Sequence, residues 1–212
     1  MTRWVPGQIG SDYQETALYQ NKDGVWTSRK LPHPVERILD AADHGNVYIE
    51  AVPDAACCGG ANDSDDTTAV VRSDVATVVF DERRRFKNNN YDVSFETTTA
   101  ALSPDLGRVA YTIATTMQPG EQIRLGSDGK QNPNELKAIQ KALTELPRVE
   151  VVALSAPEQV NLSLANTEMI AWLDQQRLLV LKNGELQVVD ANSGKVSTTA
   201  IKAEAAKFVF LR

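Results

Sequence analysis

The residues of this chain best suited to chemistry lie together between Ala55 and Thr68, in the stretch AACCGGANDSDDTT. Cys57 and Cys58 are adjacent, Gly59 and Gly60 follow, and Asp63, Asp65 and Asp66 come next. A thiolate zinc site needs four ligands, commonly paired as Cys-x₂₋₄-Cys with further Cys or His. Two adjacent cysteines, with His33 and His44 at unrelated spacing, do not supply that set. Calcium takes hard oxygen ligands, and Asp63, Asp65 and Asp66 carry them. The tract lacks the central glycine and the terminal bidentate glutamate of an EF-hand loop. Calcium is thus the one cofactor the stretch admits, while a solvated, turn-forming Asp/Asn tract needs no ion at all and is the simpler reading.

Redox chemistry is the third option. Adjacent cysteines can close an eight-membered vicinal disulfide, at the cost of strained disulfide geometry, and Gly59 and Gly60 let the chain turn sharply around it. The spacing is not Cys-x-x-Cys, so a thioredoxin-like role has no support. In an exported protein the two thiols bond to each other, because the chain holds only two cysteines; in the cytoplasm both stay free. A structural staple of the loop tip is preferred to a redox sensor.

Elsewhere the signals for catalysis are missing. There is no Gly-x-Ser-x-Gly elbow, no Walker A loop and no Gly-x-Gly-x-x-Gly fingerprint. Pairs such as Asp65 with Asp66, or Asp81 with Glu82, are ordinary in a chain with 28 acidic residues. Arg83, Arg84 and Arg85 follow Asp81 and Glu82 directly, so their field is largely cancelled and they read as a solvated strand end. Trp4, Trp26 and Trp172 read as packing residues, the first two also suiting a sugar face.

Something must position the Cys57–Thr68 loop, and the pattern of the chain says what. Runs rich in β-branched and aromatic residues recur between turn pairs: NVYIEAV from Asn46, ATVVF from Ala76, YDVSFETTT from Tyr91 and RVAYTIATT from Arg108. MIAWL, RLLVL, ELQVVD, KVSTTAI and KFVFL follow. Asp23-Gly24, Asp128-Gly129, Asn183-Gly184 and Ser193-Gly194 supply the turns. Such spacing predicts roughly fourteen to sixteen short strands, the mark of a sandwich, barrel or propeller. One amphipathic helix interrupts them within 131–147: Leu136, Ile139, Leu143 and Leu146 form its stripe, Asn132 caps it, Pro133 starts it, Glu135 completes a capping box and Pro147 ends it. It is predicted to lie against a sheet, with partner binding as the alternative. A second, shorter helix is predicted in PVERILDAA from Pro34.

A repeat links ALSPDLGRVAYT from Ala101 to NLSLANTEMIAWL from Asn161. In each, Leu-Ser opens a strand, a polar turn follows, and an aliphatic-Ala-aromatic strand comes next. The offset is about sixty residues, or roughly forty without the helical insertion, which is the length of a propeller blade. LSPDLGRVAYT resembles the turn and strand of blades in TolB-like and WD40-like propellers, and RLLVLKNGELQVVDANSGKV resembles the closing strands of quinoprotein-like and YncE-like blades. The resemblance covers Thr98 to Arg212 and includes no catalytic residue. Leu106 makes the turn one residue longer than the family pattern, with Gly107 expected in the left-handed conformation. What the resemblance implies is a propeller of four or five blades, or an incomplete array.

The chain has 212 residues, 42% of them hydrophobic, and a net charge of −6. That is one domain with a sizeable core, and it argues against a nucleic-acid partner, which would need a basic face. No apolar run is long enough to span a membrane. The first 30 residues read as a polar lead-in and the first strands, without the apolar core of a signal peptide; a mature exported domain in the periplasm fits this, and so does a cytoplasmic protein. The reading is therefore a single all-β, propeller-like domain of antiparallel four-stranded sheets with one inserted helix. Its expected role is a non-enzymatic protein-binding module that uses the loop of Cys57, Cys58, Gly59, Gly60, Asp63, Asp65 and Asp66. The alternatives are an inhibitor or immunity-type protein that blocks a partner enzyme, or a small propeller hydrolase or lyase with carboxylates at the channel mouth.

Overall fold

The structure, a computed structural model, describes residues 2–9, 13–22, 25–30, 37–42, 46–53, 66–86, 90–115, 117–118, 120–126 and 129–202. The first thirty residues hold three strands, β1 (Thr2–Ile9), β2 (Tyr13–Lys22) and β3 (Val25–Lys30), in one antiparallel sheet. Three four-stranded antiparallel sheets follow. The first contains β4 (Arg37–Ala42), β5 (Val47–Pro53), β6 (Asp66–Arg72) and β7 (Val75–Asp81). Next come a short helix, α1 (Glu82–Phe86), and a two-residue strand, β8 (Tyr91–Asp92).

The middle sheet begins with β9 (Phe95–Leu102) and β10 (Arg108–Thr115). The chain then leaves it for β11 (Arg124–Leu125), which pairs with β8, and for α2 (Pro133–Thr144). It returns as β12 (Arg148–Ala153) and β13 (Ala156–Ala165). The last sheet is β14 (Thr167–Trp172), β15 (Arg177–Lys182), β16 (Glu185–Asp190) and β17 (Val196–Lys202). In each four-stranded sheet the strands lie side by side in chain order, and none of the sheets closes on itself. The fold is all-β.

The middle sheet is buried on both faces. Leu102, Val109, Tyr111, Ile113 and Val152 join Ile49, Val70 and Phe80 of the first sheet in one core. Ala101, Ala110, Val149 and Val151 join Met169, Leu178, Val180 and Val189 of the last sheet in another. This explains why β10 carries the largely apolar run Val109-Ala110-Tyr111-Thr112-Ile113-Ala114 instead of an alternating one. Side chains cross between the sheets to backbone atoms. Asp40 Oδ2 accepts from Leu102 N at 2.9 Å, Thr112 Oγ1 accepts from Met169 N at 2.9 Å, and Trp172 Nε1 donates to Ala101 O at 3.0 Å.

The 131–147 helix forms as its sequence predicts. Asn132 Oδ1 accepts from Glu135 N at 3.3 Å, and Ile139 and Ala142 are buried in the first core. Its stripe thus covers a core of the protein itself. Glu135 does not close the expected capping box: Asn132 N donates to Tyr91 OH at 3.0 Å, and the Glu135 carboxylate instead accepts from Asn90 N at 2.8 Å and Asn90 Nδ2 at 2.6 Å, which ties the insertion to the start of β8.

Four further expectations are corrected. The helix predicted from Pro34 is instead strand β4 over Arg37–Ala42, because pairing with β5 and the Asp40 bond to Leu102 hold that segment extended. Arg84 and Arg85 belong to a helical turn, not to a strand end; Asp81 Oδ1 accepts from Arg84 N at 3.0 Å and caps it. In the Ser103–Arg108 turn the left-handed residue is Leu106 (φ 56°), not Gly107. The extra residue shifts the turn by one position. Ser103 and Asp105 hold it, Asp105 Oδ1 accepting from Gly107 N at 3.1 Å. Finally, the Leu-Ser pairs of the proposed repeat do not open strands. Leu102 ends β9 and Leu162-Ser163 lies inside β13, so the first turn joins two strands of one sheet and the second joins two sheets.

Candidate functional site

Cys57, Cys58, Gly59, Gly60, Asp63 and Asp65 lie outside the described residues, as do His33 and His44 and the side chains of Trp4, Trp26 and Asp66. What the structure describes is where their loop is rooted. Its two ends meet at the Pro53–Asp66 rung of the β5–β6 ladder. One rung further, Thr67 faces Asp81 on β7. The loop therefore leaves the sheet at the end where α1 begins.

That end carries a cleft of about 140 Å³ between β7 and β13. These are the last strands, and so the edges, of two neighbouring sheets. Val78, Pro157 and Val160 form apolar walls, Arg84 and Arg85 come from α1, and Asp81 and Glu158 complete the rim. Arg84 is 71% exposed and bridges the rim carboxylates, at 3.1 Å from Asp81 and 3.5 Å from Glu158. Exposed pairs of this kind each contribute about 0–1 kcal/mol and exchange partners readily.

Beneath the cleft the charges are fixed. Glu150 on β12 is fully buried; its Oε1 accepts from Arg85 Nη2 at 2.7 Å and forms an ion pair with Arg148 Nη2 at 3.0 Å. Tyr111 OH lies 3.1 Å from Glu150 Oε2 and 3.2 Å from Val79 O. Burial, and then the Glu150 charge, push the Tyr111 phenol far above its ordinary range, so it stays protonated. Arg148 also pairs with Glu145 at 3.1 Å and lies over Phe86, which stacks on Phe95 at 3.8 Å between centroids. Glu82 is buried too, and accepts from Phe95 N at 2.8 Å.

This arrangement holds the Arg85 guanidinium in place. The Glu150 oxygens accept from Arg85 and Tyr111 and pair with Arg148. Arg85, 36% exposed, lines the cleft. The cleft therefore combines a fixed cation, apolar walls and an ion-pair rim. Among the described residues no group of three or more His, Cys, Asp or Glu is placed to hold a metal ion, and no helix is long and apolar enough to cross a membrane.

Sequence reasoning missed Glu150, Arg148 and Tyr111. No local signal marked them: Arg148-Val149-Glu150-Val151 alternates charged and apolar residues, as a strand with one solvated face does. A second hollow, of about 480 Å³, lies beside α2 between Leu143, Leu146, Pro147 and Glu168. Compared with known families and characterised proteins, the chain matches no family model and no curated protein.

Proposed function

We propose that this chain is a non-enzymatic protein-binding module on a propeller-like blade array, with the loop from Cys57 to Thr68 as part of its contact surface. The observation that carries the proposal is the shared position of two features. The Pro53–Asp66 root of the loop and the Asp81–Arg85 side of the cleft occupy the same end of one sheet. Long loops on rigid β scaffolds are common sites of recognition, and here one is rooted at the end of the sheet that carries the cleft. For the propeller reading, support comes from three chain-ordered four-stranded sheets that stack face to face, with β4 against β9 and β9 against β14. In this reading the module is exported, Cys57 and Cys58 are bonded to each other, and calcium has only Asp63, Asp65 and Asp66 to bind.

Photo-crosslinking residues placed at Val78 and Glu158, with Leu125 as a distant control, test the surface in cells of the source organism. A partner captured at the first two positions, absent at the third, and lost when Cys57–Asp66 is replaced by a Gly/Ser linker, is the expected result. Capture that survives loop replacement removes the loop from the contact surface. No capture at either cleft position defeats the proposal.

A further inference from the structure

The hollow beside α2 differs from the cleft in its charges. Its base is apolar: Ala114, Met117, Leu143, Leu146 and Pro147 are half-buried, and Met117, Leu143 and Leu146 pack against the first core from outside. Among the described residues that line it, the charged ones are Glu121 and Glu168. Both are exposed, and neither forms an ion pair with a described residue. The cations on either side of the α2 end, Lys141 and Arg148, are taken by Glu145 at 3.9 Å and 3.1 Å. Arg124 and Lys182, near Glu121 in sequence and Glu168 in register, do not line the hollow.

The wall that carries Glu121 is held by its own hydrogen bonds. Thr115 Oγ1 donates to Ser94 O at 2.8 Å and accepts from Met117 N at 3.2 Å, which fixes the chain as it leaves β10. Gln118 N then donates to Glu121 Oε2 at 3.1 Å, and Glu121 N to Gln118 O at 3.0 Å, closing a turn around Gly120 at a φ of 85°. Leu143 and Leu146 mark the carboxyl end of α2, where the helix dipole adds partial negative charge to that of the two carboxylates.

We infer that this hollow binds a small organic cation, an ammonium group carried on an apolar body. Its volume of about 480 Å³ falls within the ~300–1,000 Å³ of small-molecule pockets, which share this form of an apolar lining with a few polar groups that set orientation. The body lies on Met117, Leu143 and Leu146, and the positive group turns to Glu121 and Glu168. Methionine adapts to irregular ligands, and its thioether makes favourable contacts with aromatic rings. An anion would meet two carboxylates and the carboxyl end of a helix. A calcium ion takes about six to eight oxygens, which an apolar base does not supply. The hollow shares no lining residue with the cleft, so the inference stands apart from the protein-binding reading.

Phenethylamine and hexylamine are the probes, each titrated to about 5 mM into the isotope-labelled full chain at neutral pH and read by amide chemical shifts. Both are expected to shift the amides of Ala114, Thr115, Met117, Gln118 and Leu143. Phenethylamine is expected to bind more tightly than phenethyl alcohol, which keeps the body without the charge, and than methylammonium, which keeps the charge without the body. Glu121→Gln leaves Gln118 N an acceptor, and Glu168→Gln keeps the size of its side chain. Each is expected to weaken phenethylamine binding about threefold, and the double variant roughly tenfold, with an unchanged circular dichroism spectrum. Glu158→Gln, at the cleft, is expected to bind like wild type. No shift of these amides with either amine at the highest concentration overturns the inference. So does phenethyl alcohol binding as tightly as phenethylamine, or a double variant that keeps wild-type affinity.

Discussion

Glu150 has lost all contact with water, and several kcal/mol of desolvation would oppose its charge if it stood alone. Arg85, Arg148 and Tyr111 supply the compensation from three different elements, which makes this carboxylate a joint between α1, β10 and β12. Tyr111 contributes one hydrogen bond, and Tyr111→Phe is expected to cost about 1 kcal/mol at neutral pH. The direction of the Tyr111 shift sets how that cost varies. In the folded chain its phenol holds the proton above the ordinary tyrosine range, so the stability it contributes is fully present below about pH 10. Above that, the unfolded chain gives up the proton while the folded chain does not, and wild type weakens. Urea titrations from pH 8 to 11 should show the wild-type advantage over Tyr111→Phe narrowing as pH rises. Asp105 works in the opposite direction. The Ser103 hydroxyl, and then the Gly107 N–H, hold its carboxyl below the usual carboxylate range, so what it adds to the turn fades only as pH falls through that range.

The insertion between β10 and β12 depends on a few polar contacts for its placement. Asn132→Ala removes an ordinary cap and is expected to cost about 1 kcal/mol. Glu135→Ala should cost more than Asn132→Ala in the same urea titration, because both Asn90 donors lose their acceptor, and Asn132 Nδ2 loses its contact with the same carboxylate. Equal costs would mean that the bonds to Asn90 contribute nothing. α2 was legible in the sequence because its signals are local: a cap, a proline at each end and an apolar stripe within one segment. β4 was not, since Val35, Ile38 and Leu39 in PVERILDAA imitate a helical face while the partners that hold the segment extended, β5 and Leu102, are remote in sequence. The same limit hid the floor of the cleft. Arg85 looked like one member of a cancelled charge run because Glu150 is 65 residues away. Leu106 shows a smaller failure of the same kind: the family turn would place glycine at the left-handed position, and one extra residue moved that position onto a leucine.

At the scale of the whole molecule, three stacked sheets share two cores, and a small number of side chains bond across the seams. Thr112 is one of them. Its hydroxyl accepts from the buried Met169 N–H and also from Thr99 Oγ1 at 2.8 Å. Thr112→Val keeps the shape but orphans that N–H, at an expected cost of about 1–3 kcal/mol. Native-state hydrogen exchange should locate the damage. Amides of β14–β17 are expected to open at a lower free energy than those of β9–β13, whereas in wild type the two sets open closer together. Uniform loss of protection across both sheets would mean that the Thr112 bond does not hold this seam. The order of strands within each sheet also bears on how the protein is made. Because neighbours in space are neighbours in the chain, the β4–β7 sheet has all its pairing partners as soon as Asp81 leaves the ribosome, and the last sheet needs nothing upstream to form its ladder. The middle sheet is different. With β9 and β10 out, half of a doubly buried layer must wait, apolar on both faces, until the insertion has been translated and β12 arrives. That interval is when the nascent chain is most exposed to aggregation, and when a chaperone would have most to bind.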